Sequence, residues 1–173
     1  MAGERLILTG FMGMGKSTVG PLAAEKLEVK YYDTDEWMEN EAGIDVPHLV
    51  KTDPAKFRRV ESQALNDILG QEPGVISTGG GIVSTEIGRK ALMDTHVLVI
   101  WLNAPFEVAA ERVASDATGR ERPLFSDYAN AKKLYEERQE WYEATHDVSL
   151  DAAQPREDVV AQIVATARWW YQD

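Results

Sequence analysis

No cysteine occurs anywhere in the chain, which excludes disulfides and thiolate metal sites and suits a reducing compartment. Histidine is scarce. His48, His96 and His146 fall in no spacing that would set two ligands on one helix face, so they are expected to be solvated or structural. Long apolar runs are also missing: the longest, Val97 to Leu102, is far too short to span a bilayer. No basic-then-apolar leader precedes Leu6, so a cytoplasmic protein is expected. Positive charge is in deficit, with 18 Lys and Arg against 29 Asp and Glu and a net charge of −11. That balance argues against a general binder of nucleic acid or of anionic membrane. An anionic ligand would have to be met by a few cations gathered locally, against the trend of the chain. Repeats, low-complexity tracts and Pro/Ser-rich linkers are absent too, and the 173 residues read as one domain with one substantial core.

What is present is concentrated near the start. Leu6-Ile7-Leu8 runs into Gly10-Phe11-Met12-Gly13-Met14-Gly15-Lys16-Ser17-Thr18, which opens a stretch of helical periodicity. GxxxxGK[ST] at a strand-to-helix turn is a phosphate cradle: the glycines let backbone N–H groups close on phosphate oxygens. Lys16 can then reach the β- and γ-phosphates, and the Ser17 hydroxyl can ligate Mg²⁺. The start of the helix adds its positive dipole end. A plain glycine-rich turn would need no Lys-Ser at that offset. A dinucleotide-binding turn fails because Thr18 stands where its third glycine is wanted.

Short apolar runs then alternate with helical stretches, the pattern of a parallel α/β sheet. Strands are expected at 6–9, 29–33, 75–78, 97–103 and 148–150. The first helix is expected over 16–27, burying Val19, Leu22, Ala23 and Leu27, with a local distortion at Pro21, which removes the hydrogen bond to the Ser17 carbonyl. Asp33-Thr34-Asp35 closes the second strand, where ligands bind in open α/β sheets. Two acids at that spacing suit one role near a metal and one near a substrate hydroxyl, or else the capping of the next helix. Asp53-Pro54 opens a helix that ends at Gly70, with Phe57, Val60, Ala64, Ile68 and Leu69 inward. On it Arg58 can pair with Glu61, as a surface ion pair of little worth or as part of an anion site.

Gly79-Gly80-Gly81 places bare backbone against something after the third strand. Asn103 is expected to cap a helix carrying Phe106, Ala109, Ala110 and Val113 inward and Arg112 off that face. From Ser115 to Tyr128 no period is legible, and Arg120, Arg122 and Pro123 fall there. A loop of that length reads as a lid, and its arginines suit phosphoryl transfer. On the helix expected over 129–145, Arg138 shares the inward stripe with Leu134, Trp141 and Tyr142. An inward arginine needs an anionic partner, either an internal acid or a substrate carboxylate. The helix after Gln154-Pro155 ends in Trp169-Trp170, which point in different directions, so at least one is partly exposed.

Taken in order, these segments resemble the shikimate kinase family over nearly the whole chain. The resemblance rests on the phosphate loop, Asp33-Thr34-Asp35, Phe57-Arg58 with Glu61, the triple glycine, Arg122-Pro123-Leu124, and Arg138 ahead of Tyr142. It departs at Leu49, where phenylalanine is usual, at Asp53-Pro54 in place of Gly-Glu, and at Ala152-Ala153, which lack a basic residue some members carry.

The resemblance implies a P-loop, three-layer α/β/α fold, with a five-stranded parallel sheet in order 2-3-1-4-5, helices on both faces and a flexible lid over about 115–128. The substrate-binding segment would span about 33–61 of the single domain. It also implies transfer of the ATP γ-phosphate to the 3-hydroxyl of shikimate, toward aromatic amino acids. Asp35, Arg58, Gly80 and Arg138 would bind shikimate, the arginines taking its carboxylate. Gly13, Met14, Gly15, Lys16, Ser17 and Thr18 would hold the ATP phosphates, with Arg112, Gln154 and Pro155 flanking adenine. Lys16 and Arg122 would hold the transferring phosphoryl, and Asp35 would orient or deprotonate the hydroxyl. Mg²⁺ would sit on Ser17, with Asp33 acting through water. The expected partners are ATP and shikimate alone, with no nucleic acid, no membrane and a monomeric chain. The rival readings are a related small-molecule kinase, such as gluconate kinase, and a non-catalytic nucleotide-binding homologue.

Overall fold

A computed structural model describes residues 5–93, 96–116 and 123–172. Five strands, β1 (Leu6–Thr9), β2 (Lys30–Asp33), β3 (Gly74–Ser77), β4 (Leu98–Asn103) and β5 (Val148–Asp151), form one sheet in the order β2-β3-β1-β4-β5. Every neighbouring pair is parallel. Parallel sheets are covered on both faces, so their central strands read as unbroken apolar runs. Every residue of β1 and β3 is buried. The edge strands β2 and β5 are more open and more polar.

Helix α1 (Lys16–Leu27) packs on α8 (Arg156–Trp170) across one face. On the other, α4 (Pro54–Leu69) packs on α5 (Glu86–Met93), and α5 on α7 (Tyr128–Thr145). Right-handed crossovers from a central β1 leave this arrangement as the natural one. α6 (Phe106–Ala114) follows β4. α2 (Thr34–Asn40) and α3 (Val46–Thr52) pack on α4. They surround a small second core of Met38, Val46, Phe57 and Ala64, against which Trp37, Ile44, Leu49 and Val60 rest.

Several expectations are corrected by this packing. α1 spans Pro21 as one helix, as expected, but its buried positions are Lys16, Val19, Gly20, Ala23 and Ala24. Leu22 and Leu27 only border the core. Asn103 caps nothing: it ends β4, and Pro105 stands at the N-terminus of α6 with no side-chain cap. α7 begins one residue earlier than expected, capped by Asp127, whose carboxylate accepts from the Asn130 amide. Residues 123–126 of the expected lid form a 3-10 turn, and Tyr128 already belongs to α7. The rest of that segment's centre, with Arg120 and Arg122, lies outside the described residues.

Other expectations hold. Asp53 caps α4 by accepting from the Lys56 amide, with Pro54 at the first helical position, a cap that contributes on the order of 1 kcal/mol. Trp169 and Trp170 are both exposed. No helix among the described residues is long and apolar enough to cross a membrane.

Candidate active site

The carboxyl ends of the central strands bring four turns together. The first is the phosphate loop. Gly13 and Gly15 take φ of 85° and 89°, a region where a side chain is strained, and α1 starts immediately after. Lys16 is 8% exposed; its Nζ donates to the carbonyls of Gly10 at 2.5 Å and Phe11 at 3.0 Å. The ammonium is thus held at the rim of the cradle by the loop's own backbone.

Asp33 performs both jobs that its sequence context left open. One carboxylate oxygen accepts from the amides of Asp35 and Glu36, capping α2. The other accepts from the Ser17 hydroxyl at 3.2 Å and the Tyr31 hydroxyl at 3.4 Å. Burial pushes the Tyr31 phenol up to about 12, so it remains a donor. The cap therefore turns the second oxygen of Asp33 toward the phosphate loop. Hard oxygen donors of this kind suit Mg²⁺, which keeps most of its waters and needs few protein ligands. No group of three or more His, Cys, Asp or Glu side chains is assembled for a metal among the described residues.

The triple glycine is explained by three different neighbours. A Cβ on Gly79 would collide with the Glu61 carboxylate, and one on Gly81 with the Arg58 guanidinium. One on Gly80 would lie 3.2 Å from the Gly10 carbonyl oxygen and the Met12 amide nitrogen, against the phosphate loop. Thr34 fastens this turn to the second one, its hydroxyl accepting from the Gly79 amide. Asp35 stands beside the same place, with a carboxylate oxygen 3.7 Å from that Gly79 Cβ position.

Arg58 and Glu61 form an ion pair at 2.7 Å, but not the surface pair that i,i+3 spacing usually means. Glu61 is completely buried. No local pattern marks this burial, because a charged residue beside an apolar stripe is usually placed on its edge. Burial pushes the Glu61 carboxyl up to about 7, opposed by Arg58 and reinforced by the charge of Asp35. Arg138 is 4% exposed, as its place on the inward stripe of α7 predicts. Its guanidinium lies over the Phe11 ring at 5.7 Å, and its Nε has no hydrogen-bond partner. Burial lowers its pKa, and the like charge of Arg58 lowers it further. Two guanidiniums thus converge beside the triple glycine around one buried carboxylate, a cluster that favours a further anion.

Glu61 makes stability depend on pH. Its carboxyl holds a proton to higher pH when folded, so its contribution is fully present below the ordinary value of 4.5 and lost as pH rises through about 7. The swing is of order 3 kcal/mol. Thermal melts of the wild type should therefore fall more between pH 5 and pH 8 than those of Glu61→Gln. Parallel slopes for the two proteins would remove Glu61 as the source.

The remaining sites named from sequence lie around the far end of the phosphate loop. Arg112 donates to the Ala152 carbonyl at 2.6 Å, and its guanidinium approaches Gly15. Gln154 is held by Gln162 at 2.5 Å, and Pro155 opens α8. One residue that no motif singled out, Tyr31, joins the site through its hydroxyl, which donates to Asp33.

The chain and its fold are similar to known proteins. A family model described as "Shikimate kinase" matches residues 12–168. The shikimate kinase of Aquifex aeolicus is 36% identical over 162 residues, covering 92% of this chain and 94% of that one. Among solved structures, shikimate kinase from Acinetobacter baumannii in complex with shikimate superposes with a TM-score of 0.84 at 24% identity. The match covers 98% of this chain and 96% of that one, a likeness of fold. A gluconokinase from Sinorhizobium meliloti shares the fold more distantly, with a TM-score of 0.64 at 20% identity over 97% of this chain and 93% of that one.

Proposed function

The chain belongs to the shikimate kinase family, and we propose that it transfers the γ-phosphate of ATP to the 3-hydroxyl of shikimate, giving shikimate 3-phosphate and ADP. The observation that carries this reading is the convergence of Arg58 and Arg138 beside the triple glycine, next to the phosphate loop. A sugar acid carries its carboxylate on a flexible chain, with a neutral polyol end to be phosphorylated; a rigid ring carboxylate, held by two guanidiniums through bidentate charge-assisted hydrogen bonds, keeps its hydroxyl at a fixed distance from the phosphate loop.

In this reading the amides of residues 13–18 hold the β- and γ-phosphates at the start of α1. Lys16 leaves the Gly10 and Phe11 carbonyls for the phosphate oxygens, and Arg122 joins it over the transferring group. Ser17, with Asp33 through water, would hold Mg²⁺, which screens the phosphate charge when bound. Arg58 and Arg138 clamp the substrate carboxylate, and the Gly80 backbone lies against the ring. Clamped in this way, the substrate presents its 3-hydroxyl to Asp35. Asp35 accepts a hydrogen bond from that hydroxyl and takes its proton as the new oxygen–phosphorus bond forms and the bond to the ADP oxygen breaks. Positioning supplies most of the effect in a loose transition state. Arg112 and the Gln154-Pro155 loop flank the adenine.

The deciding assay couples ADP release to a visible readout with Mg-ATP, with and without shikimate and with gluconate in parallel. Turnover that depends on shikimate supports the reading. Turnover with gluconate alone would move the substrate within the same fold, and ATP binding without transfer to either acid would leave a nucleotide-binding protein.

A further inference from the structure

Tyr142 is the largest fully buried side chain of the protein's described core. Its hydroxyl donates to the Gly80 carbonyl, 62 positions away along the chain. Its ring stacks on Trp101 of β4, with centroids 5.7 Å apart and planes 22° from parallel. That stack holds the ring in one plane, so the hydroxyl is delivered to a set point. On α7, Tyr142 follows Arg138 by four residues, which places both on one face of the helix. The phenol oxygen lies within hydrogen-bonding reach of the guanidinium.

A phenol has one proton to donate and lone pairs with which to accept. With its proton committed to Gly80, the oxygen is left to accept from Arg138. Burial pushes the pKa of the phenol up, so the direction of both bonds is preserved across the working pH range. A buried tyrosine needs only one partner to be satisfied. Here both partners are residues of the site, and among the described residues no carboxylate hydrogen-bonds Arg138 to fix the plane of its guanidinium.

We propose that Tyr142 is a positioning residue for the substrate carboxylate: its hydroxyl ties the Arg138 guanidinium to the Gly80 carbonyl, so that the carboxylate clamp and the triple-glycine wall keep one relative geometry. This rests on the reading of the site as a shikimate site. A bidentate clamp depends on the orientation of the guanidinium plane, and small errors of placement are costly to transfer. Tyr142 itself touches neither the phosphate nor the hydroxyl.

Tyr142→Phe keeps the ring and the stack on Trp101 and removes only the tie. The expected result is a rise of about tenfold in the KM and Kd for shikimate, with a smaller fall in kcat and the KM for ATP within about twofold. The methyl ester of shikimate, which lacks the charged carboxylate, serves as the probe that separates positioning from general loosening. Its weaker binding should be the same in wild type and variant. An equal loss for acid and ester, or no change for either, would overturn the proposal.

Should Tyr142→Phe fail to fold, the intact protein still decides the question. With carbon-13 at the tyrosine Cζ, the Tyr142 resonance should move on adding shikimate and stay in place on adding its ester. A resonance unmoved by shikimate, or moved equally by both, would overturn the role. If the wild type neither binds nor phosphorylates shikimate, the site reading itself fails and this inference falls with it; normal wild-type turnover with an unaffected variant rejects Tyr142 alone.

Discussion

Lys16→Met is expected to lower kcat by about 1,000-fold or more while leaving the protein folded, a loss of about 4 kcal/mol of transition-state stabilisation. The ammonium is the one cation built into the phosphate loop itself, held against the Gly10 and Phe11 carbonyls. Methionine has a similar length and no charge. It would leave those two carbonyls short of a donor, at a cost of about 1–3 kcal/mol, which a domain with roughly 5–15 kcal/mol of stability can absorb. The chemistry has no such reserve, because a phosphoryl group in transfer spreads its charge over oxygens that only fixed cations and amides can meet. Single-turnover transfer from radiolabelled ATP, with a thermal melt as the folding control, measures the effect. A well-folded variant with kcat within tenfold of wild type would remove Lys16 from the reaction.

Asp35→Asn is expected to reduce kcat by about 100- to 1,000-fold, with the Kd for shikimate changed only a few-fold. Asparagine fills the same space but turns a donor or a neutral oxygen toward the hydroxyl and cannot take its proton. In the proposed site, substrate affinity would depend chiefly on a carboxylate clamp at Arg58 and Arg138, which the substitution leaves in place. The negative charge of Asp35 also helps to raise the Glu61 carboxyl, so in the Asn variant the pH at which stability declines should move down. Titration of shikimate by the tryptophan fluorescence of the protein, together with steady-state rates, separates binding from turnover. A variant that loses binding and keeps kcat would make Asp35 a binding residue with no share in proton transfer.

The site's motifs were legible wherever one local turn had to meet one chemical demand. The phosphate loop could be read because positive φ at Gly13 and Gly15, the start of a helix and Lys16 all lie within one short stretch. Asp53-Pro54 could be read as a helix start because capping acts over three residues. The inward course of Arg138 followed from the helical period alone. Asn103 misled for the opposite reason. Its residue type favours a cap, but β4 extends to include it, paired with Asp151 of β5, and the pairing outweighs the local preference.

What the sequence by itself determined was the order of elements, the phosphate-binding turn and the identity of the charged groups at each strand end. These depend on periodicity, on backbone freedom and on capping, all of which act within a few residues. The tertiary structure alone decided what those groups do to one another. It buried Glu61 against Gly79, set Arg58 into the space left by Gly81, and drew Tyr142 onto the Gly80 carbonyl across 62 positions of chain. Such effects come from desolvation and from contacts between distant turns, and neither has a local signature. The three glycines recorded that something had to lie close, and only the packed sheet could bring those three neighbours to them.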